Sequence, residues 1–168
     1  MKNILIPEHR ILSRLKELAR EIDRDFAGRE PVLVCNLKGA FMVMADLVRF
    51  VTIPVRTDFV CFTSYNGAES SGSVQKRLDV SEDIAGKPVI IVEDIIDTGL
   101  TVRALTDNLK EHAPSGISVL SLLYRKGAKP RYGGFEIGDG FVYGYGLDYE
   151  GRYRQMRDVL ILQNNEKD

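Results

Sequence analysis

Apolar positions along the chain alternate between helical and extended spacing. Over residues 8–26, Ile11, Leu15, Leu18, Ile22 and Phe26 fall on one face, with Arg, Lys, Glu and Asp between them. That pattern predicts an amphipathic helix, and Gly28 is a suitable stop. Pro31 then opens Val32-Leu33-Val34-Cys35, an apolar run that predicts a short strand. Asn36-Leu37-Lys38-Gly39 is the turn after it. Ala40 to Val51 reads as a mostly apolar, buried helix. A second strand is predicted over Val55 to Phe62, with Arg56 and Asp58 facing out and Val55, Phe59 and Cys61 facing in. Leu78 to Val80 marks a further short strand.

The strongest signal is Val89 to Val102, VIIVEDIIDTGLTV. Val89 to Val92 has the continuous β-branched character of a strand buried on both faces. Two carboxylates, Glu93 and Asp94, stand at its end. The turn Asp97-Thr98-Gly99-Leu100-Thr101 follows. Val102, Leu105 and Leu109 then recur at helical spacing, predicting a helix to about residue 112. Pro114-Ser115-Gly116 turns into a strand over Ile117 to Tyr124, followed by Arg125-Lys126-Gly127. The alternation predicts an α/β fold: a mostly parallel twisted sheet flanked by helices. The tail, Phe141 to Asp148 and Val159 to Leu162, predicts a small cap at the carboxyl edge of the sheet.

Length and charge narrow this further. The 168 residues fit one domain, 44% apolar and 28% charged. A net charge of −1 gives no electrostatic support to nucleic-acid or anionic-membrane binding. No apolar run approaches membrane-spanning length, and MKNILIPEHR is too poor in apolar residues for a signal peptide. Cys35 and Cys61 both lie in apolar runs, which suits a reduced, cytoplasmic setting.

The central turn is a candidate anion site. It presents backbone amides at the start of a helix, Gly99 permits close approach, and Thr98 and Thr101 add hydroxyl donors. A phosphate monoester is the expected ligand. No GxxxxGK[ST] occurs, so the triphosphate loop is excluded. Asp97 serving only as an N-cap is an equally good reading of the turn alone. Glu93 and Asp94 shift the balance, because paired carboxylates at a strand end need solvent, cations or donors. They suit sugar hydroxyls or an Mg²⁺ held mainly through substrate oxygens. A Mg²⁺-binding phospho-acceptor domain would want acids at the end of the first strand, where Asn36 to Gly39 stands instead. Lys38 and Gly39 form a second anion candidate on the same rim. Thr63 to Gln75 holds little to bury and reads as a hairpin tip or a lid over a ligand.

These segments together resemble a known family. VIIVEDIIDTGLTV is similar to the phosphoribosyl-pyrophosphate (PRPP) motif of type I phosphoribosyltransferases. LKG at 37–39, SYNGAESSGSV at 64–74 and FVYGYGLDYEGRYR at 141–154 resemble the 6-oxopurine branch, hypoxanthine(-guanine) phosphoribosyltransferases. The resemblance implies a single type I phosphoribosyltransferase domain over 1–168 with a flexible lid at about 63–76 and a small C-terminal/N-terminal hood, its purine-binding part at about 125–162. It implies Mg²⁺-dependent transfer of phosphoribosyl from PRPP to hypoxanthine or guanine in purine salvage, by a homodimer or homotetramer.

Roles follow residue by residue. Glu93 and Asp94 match the acids at the ribose and metal. Asp97 matches the general acid/base near the purine. Asp97, Thr98, Gly99, Leu100 and Thr101 match the 5′-phosphate loop. Lys38, Gly39 and Arg154 match the pyrophosphate contacts, with a cis peptide implied before the lysine. Ser64 and Tyr65 match the lid. Phe141, Val142 and Asp148 match the purine site, Asp148 also standing where a second metal approaches. The family's lysine that contacts the purine 6-oxygen aligns with Arg125, with Lys126 next, and either could donate. A PRPP-sensing regulator would add a DNA-binding extension or basic face, and a pyrimidine enzyme would lack the Phe141 to Asp148 segment.

Overall fold

A computed structural model describes residues 3–64 and 74–162. Two sheets organise them. The larger has six strands in the order β4 (Val74–Leu78), β3 (Arg56–Ser64), β2 (Val32–Asn36), β5 (Pro88–Ile96), β6 (Gly116–Arg125), β7 (Tyr132–Ile137). All neighbours pair in parallel except β3 and β4, which are antiparallel. The smaller sheet is antiparallel and joins β1 (Ile4–Ile6), β9 (Val159–Ile161) and β8 (Val142–Tyr143).

Three helices cover the larger sheet: α1 (Glu8–Asp25), α2 (Phe41–Leu47) and α3 (Leu100–Lys110). Its two faces carry separate cores. Leu33 and Cys35 of β2, with Ile90 and Val92 of β5, pack with Ile11, Leu15, Leu18 and Ile22 of α1 and with α2. Val32, Val34, Val89 and Ile91 point the other way, onto Leu105 and Leu109 of α3. Both strands are therefore apolar at consecutive positions. Cys35 and Cys61 are free thiols, and burial pushes Cys35 up to about 12.

Three expectations change. The predicted helix from Ala40 to Val51 stops at Leu47 as α2. The chain leaves the helix through a turn at 48–50, and the Asp23 carboxylate ties it back to α1 by accepting hydrogen bonds from the Thr52 and Ile53 amides and the Thr52 hydroxyl. In β3 the predicted facing is reversed at Asp58 and Phe59. Asp58 is 6% exposed, whereas Phe59 is 41% exposed. Val60 and Phe62 fill the core on that side. Asp58 goes inside because it accepts hydrogen bonds from the amides of Phe59, Ser81 and Glu82 and from the Ser81 hydroxyl. The strand predicted at Leu78 to Val80 instead ends at Leu78.

β7 completes the larger sheet, so the hood is built from β8, β9 and the N-terminal β1 rather than from all of 125–162. Glycine in β7 is a packing requirement. A Cβ on Gly134 would lie 2.2 Å from the Leu122 carbonyl oxygen of β6. No helix among the described residues is long and apolar enough to cross a membrane.

Asp58 supplies a stability test. Burial pushes its carboxyl up, but bonds from Glu82, Ser81 and Phe59 outweigh burial and hold it below the ordinary value. Its contribution is therefore present at neutral pH and fades as pH falls below ~4. Asp58→Ala is expected to cost about 2–3 kcal/mol at pH 7 in urea denaturation, with the gap to wild type closing in acid. An equal gap at pH 7 and pH 3 would refute the role.

Candidate active site

Parallel pairing of β2, β5, β6 and β7 sets their carboxyl ends along one rim. A cavity of about 360 Å³ opens there. The turn after β2 contributes Lys38 and Gly39, and β5 contributes Glu93 and Asp94. Asp97 to Thr101 forms another wall, and Asp148 and Arg154 reach in from the hood. The sequence-predicted groups of the central motif, the Lys-Gly turn and two of the tail residues thus meet in one place.

The acids set the electrostatics. Glu93 is 3% exposed and accepts a hydrogen bond from Asn36 Nδ2 at 3.0 Å. Asn36 also exchanges bonds with the Phe62 backbone, donating to O and accepting from N, so its amide is fixed. Burial first, and the neighbouring Asp94 second, push Glu93 well above the carboxylate range, against the Asn36 bond. Asp94 is pushed up to about 6 by burial, opposed by the Ile95 amide and the Arg154 charge. The Ile95 N–H donates to Asp94 Oδ1 at 2.7 Å.

Two glycines close this corner. A Cβ on Gly39 would stand 1.6 Å from Asp94 Oδ2, and one on Gly146 would stand 2.1 Å from the Gly39 carbonyl oxygen. Strand end, β2 turn and hood are therefore stacked in contact. The peptide Leu37–Lys38 is cis. Arg154 pins the hood side, pairing with Asp148 at 2.6 Å and donating to Gly146 O at 2.7 Å.

The turn after β5 resolves one of the open readings. Gly99, in the left-handed region at φ 78°, precedes α3 as its cap, and no side chain caps the helix. Asp97 is not the N-cap; its side chain is 69% exposed. Thr98 Oγ1 accepts from the Leu100 amide at 3.4 Å, and residues Thr98 to Thr101 line the cavity. Glycine is needed at 99 for the backbone angle rather than for space, since the nearest atom to an added Cβ is 4.0 Å away.

The other predicted residues lie around this centre. Phe141 is 50% exposed, its ring edge-on to Tyr149 at 5.6 Å, and Val142 is buried in β8. Arg125 reaches Asp97, Nε to Oδ1 3.5 Å. Lys126 is exposed and lines a neighbouring cavity of about 700 Å³ that shares the 96–99 turn. Ser64 ends β3 opposite Val74, and Tyr65 lies outside the described residues.

A model of the phosphoribosyl transferase domain matches residues 3–150. The chain is 36% identical over 169 aligned residues to the hypoxanthine-guanine phosphoribosyltransferase of Streptococcus pneumoniae, covering 97% of this chain and 94% of that one. This chain belongs to the hypoxanthine-guanine phosphoribosyltransferase family. The dog family member is also 36% identical, over 99% of this chain and 84% of its own length. A Bacillus anthracis family member, crystallised with HEPES in its active site, superposes with a TM-score of 0.90 at 38% identity, covering 97% and 99% of the two chains. The predicted type I fold is thus the observed one.

Sequence reading missed three features of this phosphoribosyltransferase site. Asn36 has no motif value, yet it anchors Glu93. Gly146 looked like generic tail glycine, and only the fold brings it to Gly39. Thr63 lines the cavity with a buried Oγ1 that has no partner among the described residues. A ligand able to satisfy that hydroxyl would relieve its cost. Among the described residues no three His, Cys, Asp or Glu side chains form a metal cage. Asp94 and Asp148 offer hard oxygen donors at one cavity, which fits Mg²⁺ bound through one or two carboxylates and otherwise through substrate oxygens.

Raised carboxyls make the free protein less stable as pH climbs from ~4 through about 6, because the folded state holds protons that the unfolded chain has released. Glu93→Gln keeps an acceptor for Asn36 and removes one charge. It is expected to stabilise the ligand-free protein by on the order of 1–3 kcal/mol at pH 7.5 and by little at pH 4, while lowering activity. A thermal melt that falls at pH 7.5 would contradict this. Gly39→Ala is expected to abolish detectable turnover, since the added methyl and Asp94 Oδ2 would occupy the same space.

Proposed function

We propose that the protein salvages purines, transferring phosphoribosyl from PRPP to hypoxanthine and guanine to give IMP or GMP and pyrophosphate. The observation that carries this reading is the single cavity that joins a helix-start turn to a buried acid pair and the Lys38-Gly39 turn. A sugar carrying a phosphate at one end and pyrophosphate at the other needs those three groups around one cavity. The family relationship supplies the purine.

In this reading a ring nitrogen of the base attacks C1′ of PRPP, the C1′–O bond to pyrophosphate breaks, and the base loses a proton. Charge develops on the ribose and on the leaving group, so the protein's work is positioning and electrostatic stabilisation. The amides and hydroxyls of Thr98 to Thr101 hold the 5′-phosphate. Glu93 and Asp94 receive the ribose hydroxyls. Lys38, the Gly39 backbone and Arg154 receive pyrophosphate. Asp97, exposed at the cavity edge, handles the purine proton. Ser64 and Tyr65 begin the lid that excludes water. Phe141 stacks on the base, Val142 reads its edge through the backbone, and Arg125 or Lys126 stands near its oxygen. Mg²⁺, held by Asp94 and Asp148 together with substrate oxygens, would neutralise charge on the departing pyrophosphate. Phe41 and Phe59, 38% and 41% exposed, supply apolar surface for a dimer or tetramer. A cytoplasmic location belongs with this chemistry.

The test is turnover with PRPP and Mg²⁺, with hypoxanthine, guanine and xanthine compared side by side. Conversion of hypoxanthine to its monophosphate is expected, and no turnover of any 6-oxopurine would overturn the reading. Asp97→Asn should lower kcat ~100-fold or more while PRPP affinity stays within a few-fold. An equal loss in both would remove the proton-handling role.

A further inference from the structure

Arg125 ends β6, between the neighbouring ends of β5 and β7. Ile96 of β5 pairs with Tyr124, and Ile137 of β7 pairs with Arg125. Asp97 and Gly138 are each the next residue beyond those pairs, and strand neighbours lie about 5 Å apart. One long side chain at this position can therefore reach both. It does: its terminal nitrogens donate to the carbonyl oxygens of Gly138 and of Gly140, the latter at 2.6 Å, and Nε faces Asp97 at 3.5 Å. Among the described residues these are the hydrogen bonds that hold the exposed Gly138-Asp139-Gly140 turn. Phe141 is the next residue, and its ring is half-exposed against Tyr149.

We propose that Arg125 is a positioning residue that clamps the 138–140 turn to Asp97 and so fixes the purine-stacking Phe141 relative to the group that handles the purine proton. This deepens, and rests on, the phosphoribosyl-transfer reading. The guanidinium suits the task because its planar fork presents five donors in fixed directions. Two parallel N–H groups span two carbonyls of one turn, and the third side of the fork remains for a carboxylate. A lysine ammonium is a compact point charge on a flexible stem. It can neutralise Asp97, but it cannot hold both carbonyls in the same rigid arrangement. Lys126 does not share the work. It is exposed and lines the adjoining cavity instead. Arg125 is thus committed to the turn that carries the stacking ring, and Lys126 stands apart from it.

The experiment compares wild type, Arg125→Lys and Arg125→Ala in steady-state kinetics and in hydrogen exchange of the 138–142 segment. Arg125→Lys is the conservative variant that keeps the charge should the alanine variant fold poorly. A clamp predicts that Arg125→Lys raises the purine KM ~10-fold or more, with the PRPP KM within about twofold of wild type. It also predicts ~10-fold faster exchange at 138–142 in the lysine variant. If Arg125→Lys leaves both the purine KM and the exchange unchanged, Arg125 acts only as a cation and the clamp is refuted. If it raises the two KM values alike, the role is general integrity of the rim and the clamp is again refuted. Wild-type turnover separates the two claims. Should wild type turn over no 6-oxopurine, the functional reading fails, while the exchange arm still decides whether Arg125 holds the turn.

Discussion

Two consecutive carboxylates at the end of a buried strand are the constraint around which the molecule is arranged. Alternation along β5 sends Glu93 and Asp94 to opposite faces of the sheet. Glu93 meets the Asn36 amide and Asp94 meets the Gly39 backbone. Asn36 ends β2 and Gly39 lies in the turn that follows it, so that strand end and turn grip the pair from two sides. The parallel pairing of β2 with β5 makes this possible, because it sets the two strand ends side by side. Holding like charges out of water is unfavourable, and no sequence optimised for stability alone would keep them there. Bonds from Asn36 and the Ile95 amide, with the nearby Arg154 charge, limit the cost without removing it. A sugar with vicinal hydroxyls, or a cation, is the complement such a corner lacks.

The remaining architecture supplies orientation. Neighbouring strand ends each deliver part of the rim: the Lys38-Gly39 turn from β2, the acids and the 97–101 turn from β5, the Arg125 guanidinium from β6, and the turn leading to Phe141 from β7. The hood then closes the row. Arg154 braces the hood from within through Asp148 and Gly146, and Gly146 rests on Gly39 of the rim. Contact without intervening side chains means that the relative height of sheet and hood is set by backbone, which holds position more rigidly than long side chains could.

Much of this was legible in the sequence, and the failures have physical causes. The buried strands β2 and β5 announced themselves by continuous apolar runs, α1 by its single apolar face, and the acid-and-turn motif by composition that packing alone would not select. The facing of β3 was not legible, because polarity normally reports exposure. Asp58 breaks that rule by accepting several donors from residues 59, 81 and 82, the last two far away along the strand path. β7 was silent because Gly133 and Gly134 weaken any strand signal, and the reason for glycine lies in a carbonyl of the adjoining strand. β1 was silent because three residues carry no period, and its partner is β9, at the other end of the described chain. Asn36 and Gly146 became functional only through neighbours that the sequence does not name. Asp97 as a helix cap remained open until Gly99 proved to occupy that position.

The pairing of β1 with β9 bears on how the site can come apart. The larger sheet draws on residues 32–137, whereas the hood needs Ile4–Ile6 and Val159–Ile161 together. Each of those two strands is only three residues long, so the seam between them is the place where little structure has to yield. Opening it would lift the ceiling from the rim and leave the six-stranded core folded. The molecule can thus keep its fold and lose its site.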